Sequence, residues 1–134
     1  MSTSNLKAIN TKRAPTPVGP YNQAIIAGEW LYCSGQIALS PKTGEMVGAG
    51  EIDKETRQVL ENLKNVLFFA GAQASQVVKT TIYLTDLKDF EKVNSIYSET
   101  FQTESFPSPS RACVQVAALP KGARVEIDCV AWLG

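Results

Sequence analysis

Pro107-Ser-Pro-Ser-Arg-Ala-Cys-Val-Gln-Val-Ala-Ala-Leu-Pro-Lys-Gly-Ala-Arg-Val-Glu-Ile-Asp128 is the stretch whose reading decides the fold. Its two prolines bar a helix from continuing into it. Past them the residues alternate, Val114 and Val116 pointing one way and Arg111, Cys113 and Gln115 the other. After a Leu-Pro-Lys-Gly-Ala break a second run alternates, with Val125, Ile127 and Cys129 apolar and Glu126 and Asp128 polar. The expected arrangement is an antiparallel pair in which Val116 faces Val125 and Val114 faces Ile127. That register gathers Arg111, Cys113, Gln115, Glu126 and Asp128 on the opposite face. A guanidinium, a thiol and a carboxylate grouped in this way look like a site for a small anion. The solvent-facing side of an ordinary hairpin fits the same pattern.

Around this stretch, a chain of 134 residues is long enough to bury a core and is expected to form one domain, residues 1–134. Hydrophobic residues make up 44% and charged residues 19%, the balance of a globular protein rather than a disordered one. Lysine plus arginine equals aspartate plus glutamate at 13 each, so no net positive field exists to hold nucleic acid or an anionic membrane. Histidine is absent, which removes serine–histidine and cysteine–histidine nucleophile pairs and histidine metal ligation. Cys33, Cys113 and Cys129 are widely spaced with no C-x-x-C pair, and their odd number suits a reducing compartment. No apolar run reaches the length of a membrane span and no secretion signal opens the chain, so a soluble cytoplasmic protein is expected.

Taken in order, Met1 to Asn5 are polar and expected to be loose, and Leu6–Ile9 forms a short edge strand. Pro15, Pro17, Gly19 and Pro20 make an irregular segment, with Tyr21 directly after it. Ala24–Ala27 and Trp30–Ile37 pair through a turn at Gly28-Glu29, and Ser34-Gly35 marks a bulge or a close approach of backbone to a ligand. Asp53 is the expected N-cap of a helix whose buried stripe is Thr56, Val59, Leu60, Leu63, Val66, Leu67 and Ala70, ending at Gly71. Val77–Leu84 reads as a strand. Thr85 or Asp86 then caps a second helix burying Phe90, Val93, Tyr97 and Phe101, with Asn94 beside that stripe. The order is β, β-β, α, β, α, β-β. Two amphipathic helices cover only one face of such a sheet, so other subunits are expected on the face that carries Arg111, Cys113 and Glu126.

No phosphate loop, dinucleotide fingerprint or metal loop occurs. Arg111 offers a planar fork for a carboxylate. Glu126 could position or deprotonate a water. Cys113 serves either as a nucleophile activated by Arg111 or through its backbone and packing. Tyr21, Ser34, Gly35 and Asn94 are further contributors.

These residues resemble the RidA (YjgF) family. The resemblance rests on Pro109-Ser-Arg111-Ala-Cys113-Val-Gln-Val-Ala-Ala-Leu119 with Val125-Glu126-Ile127, on Gly19-Pro-Tyr21-Asn-Gln-Ala24, and on Ser34-Gly35-Gln36-Ile37. Pro41-Lys-Thr-Gly44, Val78-Lys-Thr-Thr81, Asp89-Phe90 and Val93-Asn94 extend it over nearly the whole chain. It implies an α+β, chorismate-mutase-like fold: a mixed sheet with two helices on one face, assembled as a homotrimeric barrel with sites between subunits. It also implies hydrolysis of 2-iminopropanoate and 2-iminobutanoate to 2-oxo acids and ammonia, without cofactor or metal. In that reading Arg111 clamps the substrate carboxylate and Glu126 holds the attacking water. Tyr21 walls the pocket, Gly35 and Cys113 give backbone contacts, and Ser34 and Asn94 rank second. The longer approach Pro107-Ser-Pro-Ser110 is the one departure, at the rim of the pocket. The competing readings are a regulatory module that binds 2-oxo acids and an endoribonuclease; neutral charge and missing histidine weigh against the latter.

Overall fold

The computed structural model describes residues 5–134; the expectation of a loose start falls largely on residues 1–4, outside this range. Six strands form one sheet: β1 (Leu6–Ile9), β2 (Ala24–Ala27), β3 (Trp30–Gln36), β4 (Val77–Leu84), β5 (Ser110–Gln115) and β6 (Val125–Trp132). Their spatial order is β1-β2-β3-β6-β4-β5, antiparallel throughout except for the parallel β4–β5 pair at one edge. Two helices, α1 (Ile52–Phe69) and α2 (Phe90–Phe101), pack against each other and against the sheet. The result is a mixed α+β sheet, as expected. No helix among the described residues is long and apolar enough to cross a membrane.

The core lies between helices and sheet. Val59, Leu63, Val66 and Leu67 of α1 and Val93 and Phe101 of α2 meet Leu31, Ile82, Leu84, Val125, Ile127 and Ala131, all essentially without exposed surface. The predicted stripe of α1 is therefore the buried one. Its start differs: the helix begins at Ile52, with Glu51 rather than Asp53 as N-cap. The reason is the fully buried Glu55, whose two oxygens accept the N–H groups of Gly50 (2.9 Å) and Arg124 (2.9 Å) and so satisfy a backbone donor of the preceding loop from inside the first turn. Asp86 caps a short turn at Leu87–Asp89 by accepting from the Lys88 N–H, and α2 follows directly.

The decisive stretch folds otherwise than its alternation predicts. Residues 110–115 and 125–132 are not partners: β4 lies between them, parallel to β5 and antiparallel to β6. Nine residues separate the two strands, enough to carry the chain across β4, whereas alternation alone names no partner. The register through β4 also fixes the faces. Ile82 stands opposite both Cys113 and Ile127, on the helix side. Tyr83 stands opposite both Val114 and Glu126, on the other side. Arg111 and Cys113 thus belong to the helix face while Glu126 and Asp128 belong to the open face, a correction to the expected single cluster.

Candidate active site

The open face of β6 carries Glu126, and what surrounds it follows from a bulge in the neighbouring strand. Between the pairs Cys33↔Cys129 and Gln36↔Ile127 two residues of β3, Ser34 and Gly35, oppose the single Asp128 of β6, so the strand carries one extra residue there. The Glu126 side chain lies against Gly35. A Cβ there would come within 2.7 Å of the carboxyl carbon, so only glycine admits the acid in this position. Burial pushes the Glu126 carboxyl above its ordinary value, and the charge of Asp128 on the same strand face adds to the effect. Asp128 is itself held by the Tyr83 hydroxyl, which donates to its Oδ2 at 3.0 Å.

Glu126 and Gly35 form the floor of a small pocket of about 50 Å³, walled by Tyr21, Pro15, Val18 and Leu39. The wall is rigid because Gln23, almost fully buried, ties it to the sheet. Its amide nitrogen donates to the carbonyls of Thr11 (3.0 Å), Ala14 (3.2 Å) and Pro15 (2.9 Å), and its oxygen accepts from the Thr11 N–H (2.7 Å). Asn62 does the same from α1, donating to the carbonyls of Ile37 (3.1 Å) and Leu39 (2.9 Å). Tyr21 is half exposed, and its hydroxyl accepts from the Val18 N–H at 3.3 Å. Ser34 does not line this pocket. Its hydroxyl donates to the Asn22 carbonyl (2.7 Å) and its N–H to the Gln23 carbonyl (2.9 Å), which fixes the segment bearing Tyr21.

Arg111 is elsewhere. From edge strand β5 its guanidinium reaches over α2, 5.0 Å from the Tyr97 ring centre and 5.5 Å from that of Phe90. Its Nη1 donates to the Asn94 side-chain oxygen at 2.7 Å. Asn94, Tyr97, Ser108, Pro109 and Arg111 line an open cavity of about 370 Å³. Cys113, two residues on and facing the same way, packs against the core; burial pushes its thiol up and the nearby Arg111 only partly offsets this. A thiol held in its neutral form is a poor nucleophile, which favours the packing and backbone alternative.

Within one chain the structure therefore brings Tyr21, Gly35 and Glu126 together, and separately Arg111 and Asn94 with Cys113 on the same strand face. It does not bring the two groups together. Gln23, Asn62, Pro15 and Leu39 were missed by sequence reading. Gln23 had the clearest signal, an amide at the head of an apolar strand directly after a proline-rich segment.

Comparison with known proteins gives a consistent answer. The endoribonuclease L-PSP family model matches residues 11–133. A RutC family protein from Synechocystis is 51% identical over 128 residues, 96% of this chain and 97% of that protein. The human 2-iminobutanoate/2-iminopropanoate deaminase is 43% identical over 134 residues, covering all of this chain and 95% of its own length. Chloroplastic Reactive Intermediate Deaminase A from Arabidopsis thaliana is 45% identical, covering 99% of this chain and 70% of its own. Among solved structures, Escherichia coli TdcF with bound serine superposes with a TM-score of 0.89 at 38% identity, over 96% of this chain and 99% of that one.

Proposed function

Because the chain belongs to the RidA (YjgF) family, whose model is described as endoribonuclease L-PSP, we infer that it is an enamine/imine deaminase that hydrolyses 2-imino acids to 2-oxo acids and ammonia. The observation that carries the reading is the Glu126 carboxylate, desolvated against Gly35 at the base of a pocket walled by Tyr21. The names of the mammalian and plant relatives, all deaminases, support it.

An imine carbon is already electrophilic, so placement and one proton-handling group suffice. The ionised Glu126 takes a proton from water as the water oxygen bonds to the imine carbon and the C=N electron pair moves to nitrogen. The same carboxyl then returns the proton to nitrogen to give a carbinolamine. It next takes up the proton of the carbinolamine hydroxyl and passes it to the amine, so that ammonia leaves with the C–N electron pair as the C=O bond forms. Arg111 clamps the substrate carboxylate through its planar fork, with Asn94 setting the guanidinium plane. Tyr21 walls the pocket, and the backbone of Gly35 and Cys113 supplies contacts. No step calls on a cofactor.

Arg111 and Glu126 lie on opposite faces of one sheet, so a complete site takes each from a different subunit. The open face supports such an assembly: Trp30, Tyr32, Val114 and Trp132 are each more than two-fifths exposed there. A homotrimer, the state the family resemblance implies, is the proposed assembly, with residues 1–134 as one domain of it. Three free thiols support a reducing, cytoplasmic location. Phosphodiester cleavage is the weaker reading, since the chain has no histidine and no excess of positive charge.

The test is a dehydratase-coupled assay of imine disappearance. Arg111→Ala should lose nearly all acceleration while the assembly stays intact. Glu126→Gln should still bind 2-oxo acids but turn over at least about a hundredfold more slowly. Undiminished rates in either variant would remove the assigned role.

A further inference from the structure

We propose that the pocket above Glu126 opens into a second, cationic compartment that receives an acidic group at the far end of the substrate, so that dicarboxylic 2-imino acids are a preferred substrate class of this chain. The inference rests on the deaminase reading and concerns its specificity.

The compartment holds about 380 Å³ and is lined by Lys42 and Lys121 with Pro15, Thr16, Val18 and Leu39. Those last four also line the pocket that contains Glu126, so the two spaces share a wall and adjoin. The inner pocket, at about 50 Å³, has room for the reacting carbon and little more. A longer side chain must leave it past Leu39 and Val18, along apolar surface suited to methylene groups, and it then meets two ammonium groups. No aspartate or glutamate lines the outer space, and neither lysine is ion-paired among the described residues. Two unpaired cations on one space, with the hydroxyl residues Thr16, Ser40 and Thr43 also in its lining and no acid among them, favour an anion.

Both lysines are carried on built loops. Ser40 folds the first: its hydroxyl accepts the N–H groups of Lys42 (3.2 Å) and Thr43 (3.3 Å), and its carbonyl accepts that of Gly44 (2.8 Å). Glu45, the acid nearest in that loop, lies outside the compartment lining. Lys121 is the one non-glycine residue among those described with a positive φ, at 56°, between Pro120 and Gly122. Left-handed backbone is disfavoured for a residue with a Cβ and persists where the surroundings impose it. Here it turns the chain directly after Pro120, which lines the inner pocket, and leaves the lysine at the outer one.

The experiment compares imines generated by an amino-acid oxidase from an acidic amino acid and from its neutral counterpart of similar length. For the wild-type protein at low salt, kcat/KM for the dicarboxylic imine should exceed that for the neutral one by roughly fivefold to tenfold, and added salt should erode the difference. The double variant Lys42→Ala/Lys121→Ala should lose the preference through KM while keeping wild-type rates on the neutral imine. Absence of a preference in the wild type, or its survival in the double variant, would overturn the proposal. Calorimetric binding of a 2-oxo dicarboxylate against a 2-oxo monocarboxylate separates this from the reaction itself. Lysine-dependent selectivity in binding without any imine turnover would uphold the compartment and reject the deaminase reading; equal binding would reject the compartment alone.

Discussion

The carboxyl group of Glu126 carries two electrostatic loads, the loss of water around it and the charge of Asp128 two residues along the same strand face. Both hold its pKa up, and its ionised form is the one that can take a proton from water. Replacing Asp128 with asparagine removes the second load, so the Glu126 pKa should fall toward its ordinary value. The acid limb of the kcat/KM profile should then move to lower pH, with little change on the alkaline side; a profile whose acid limb stays in place would show that another group sets it. This relation was legible in the sequence, because residues two apart in a strand share a face whatever the strand pairs with. The fit between Glu126 and Gly35 was legible only as a warning, a glycine inside a strand. Which side chain lies over it depends on the β3–β6 register.

Among the elements, the proline-rich segment before β2 owes its shape to a side chain rather than to backbone pairing. Gln23 satisfies one N–H and three carbonyls of residues 11–15. Gln23→Ala strands these groups beneath a buried surface, and the expected cost is about 2–4 kcal/mol, measured as a shift in denaturant midpoint at unchanged m-value. Because Pro15 and Val18 wall the pocket, KM for the imine should rise as well. A midpoint within error of wild type would mean that water replaces the amide without loss. Element types were readable from periodicity: the stripe of α1, the strand at 77–84 and the turn at Gly28-Glu29 all stand as expected. The partners of the last two strands were not, because α2 brings β5 to the outer edge of β4 and leaves β6 in the middle of the sheet.

At the scale of the molecule, the separation of Arg111 from Glu126 across the sheet makes a quantitative demand on the assembly. Arg111→Ala and Glu126→Gln chains are each inactive in the proposed scheme. Unfolded together and refolded as mixed oligomers, they should recover activity toward about a quarter of wild type, since a site with both native groups draws Arg111 and Glu126 from different chains. Sites contained within one subunit would recover nothing. The same geometry predicts that Tyr32→Glu, in the middle of the apolar open face, should dissociate the oligomer in sedimentation and abolish turnover without touching either reacting group; an intact oligomer would place the interface elsewhere.

What the sequence determined by itself was local and chemical. Periodicity set which residues are helix, strand or turn, and residue type limited the reaction to what an arginine and a carboxylate can do without histidine. The motifs of residues 109–127 placed the family. What only the tertiary structure decided was adjacency. Alternation fixes the two faces of a strand but neither its neighbour nor which face of the sheet each set joins. Pairing β5 and β6 to opposite sides of β4 therefore put Arg111 and Glu126 on opposite faces. The position of Lys121 beside the Glu126 pocket follows in the same way from long-range packing, because the segments that wall it come from three distant parts of the chain.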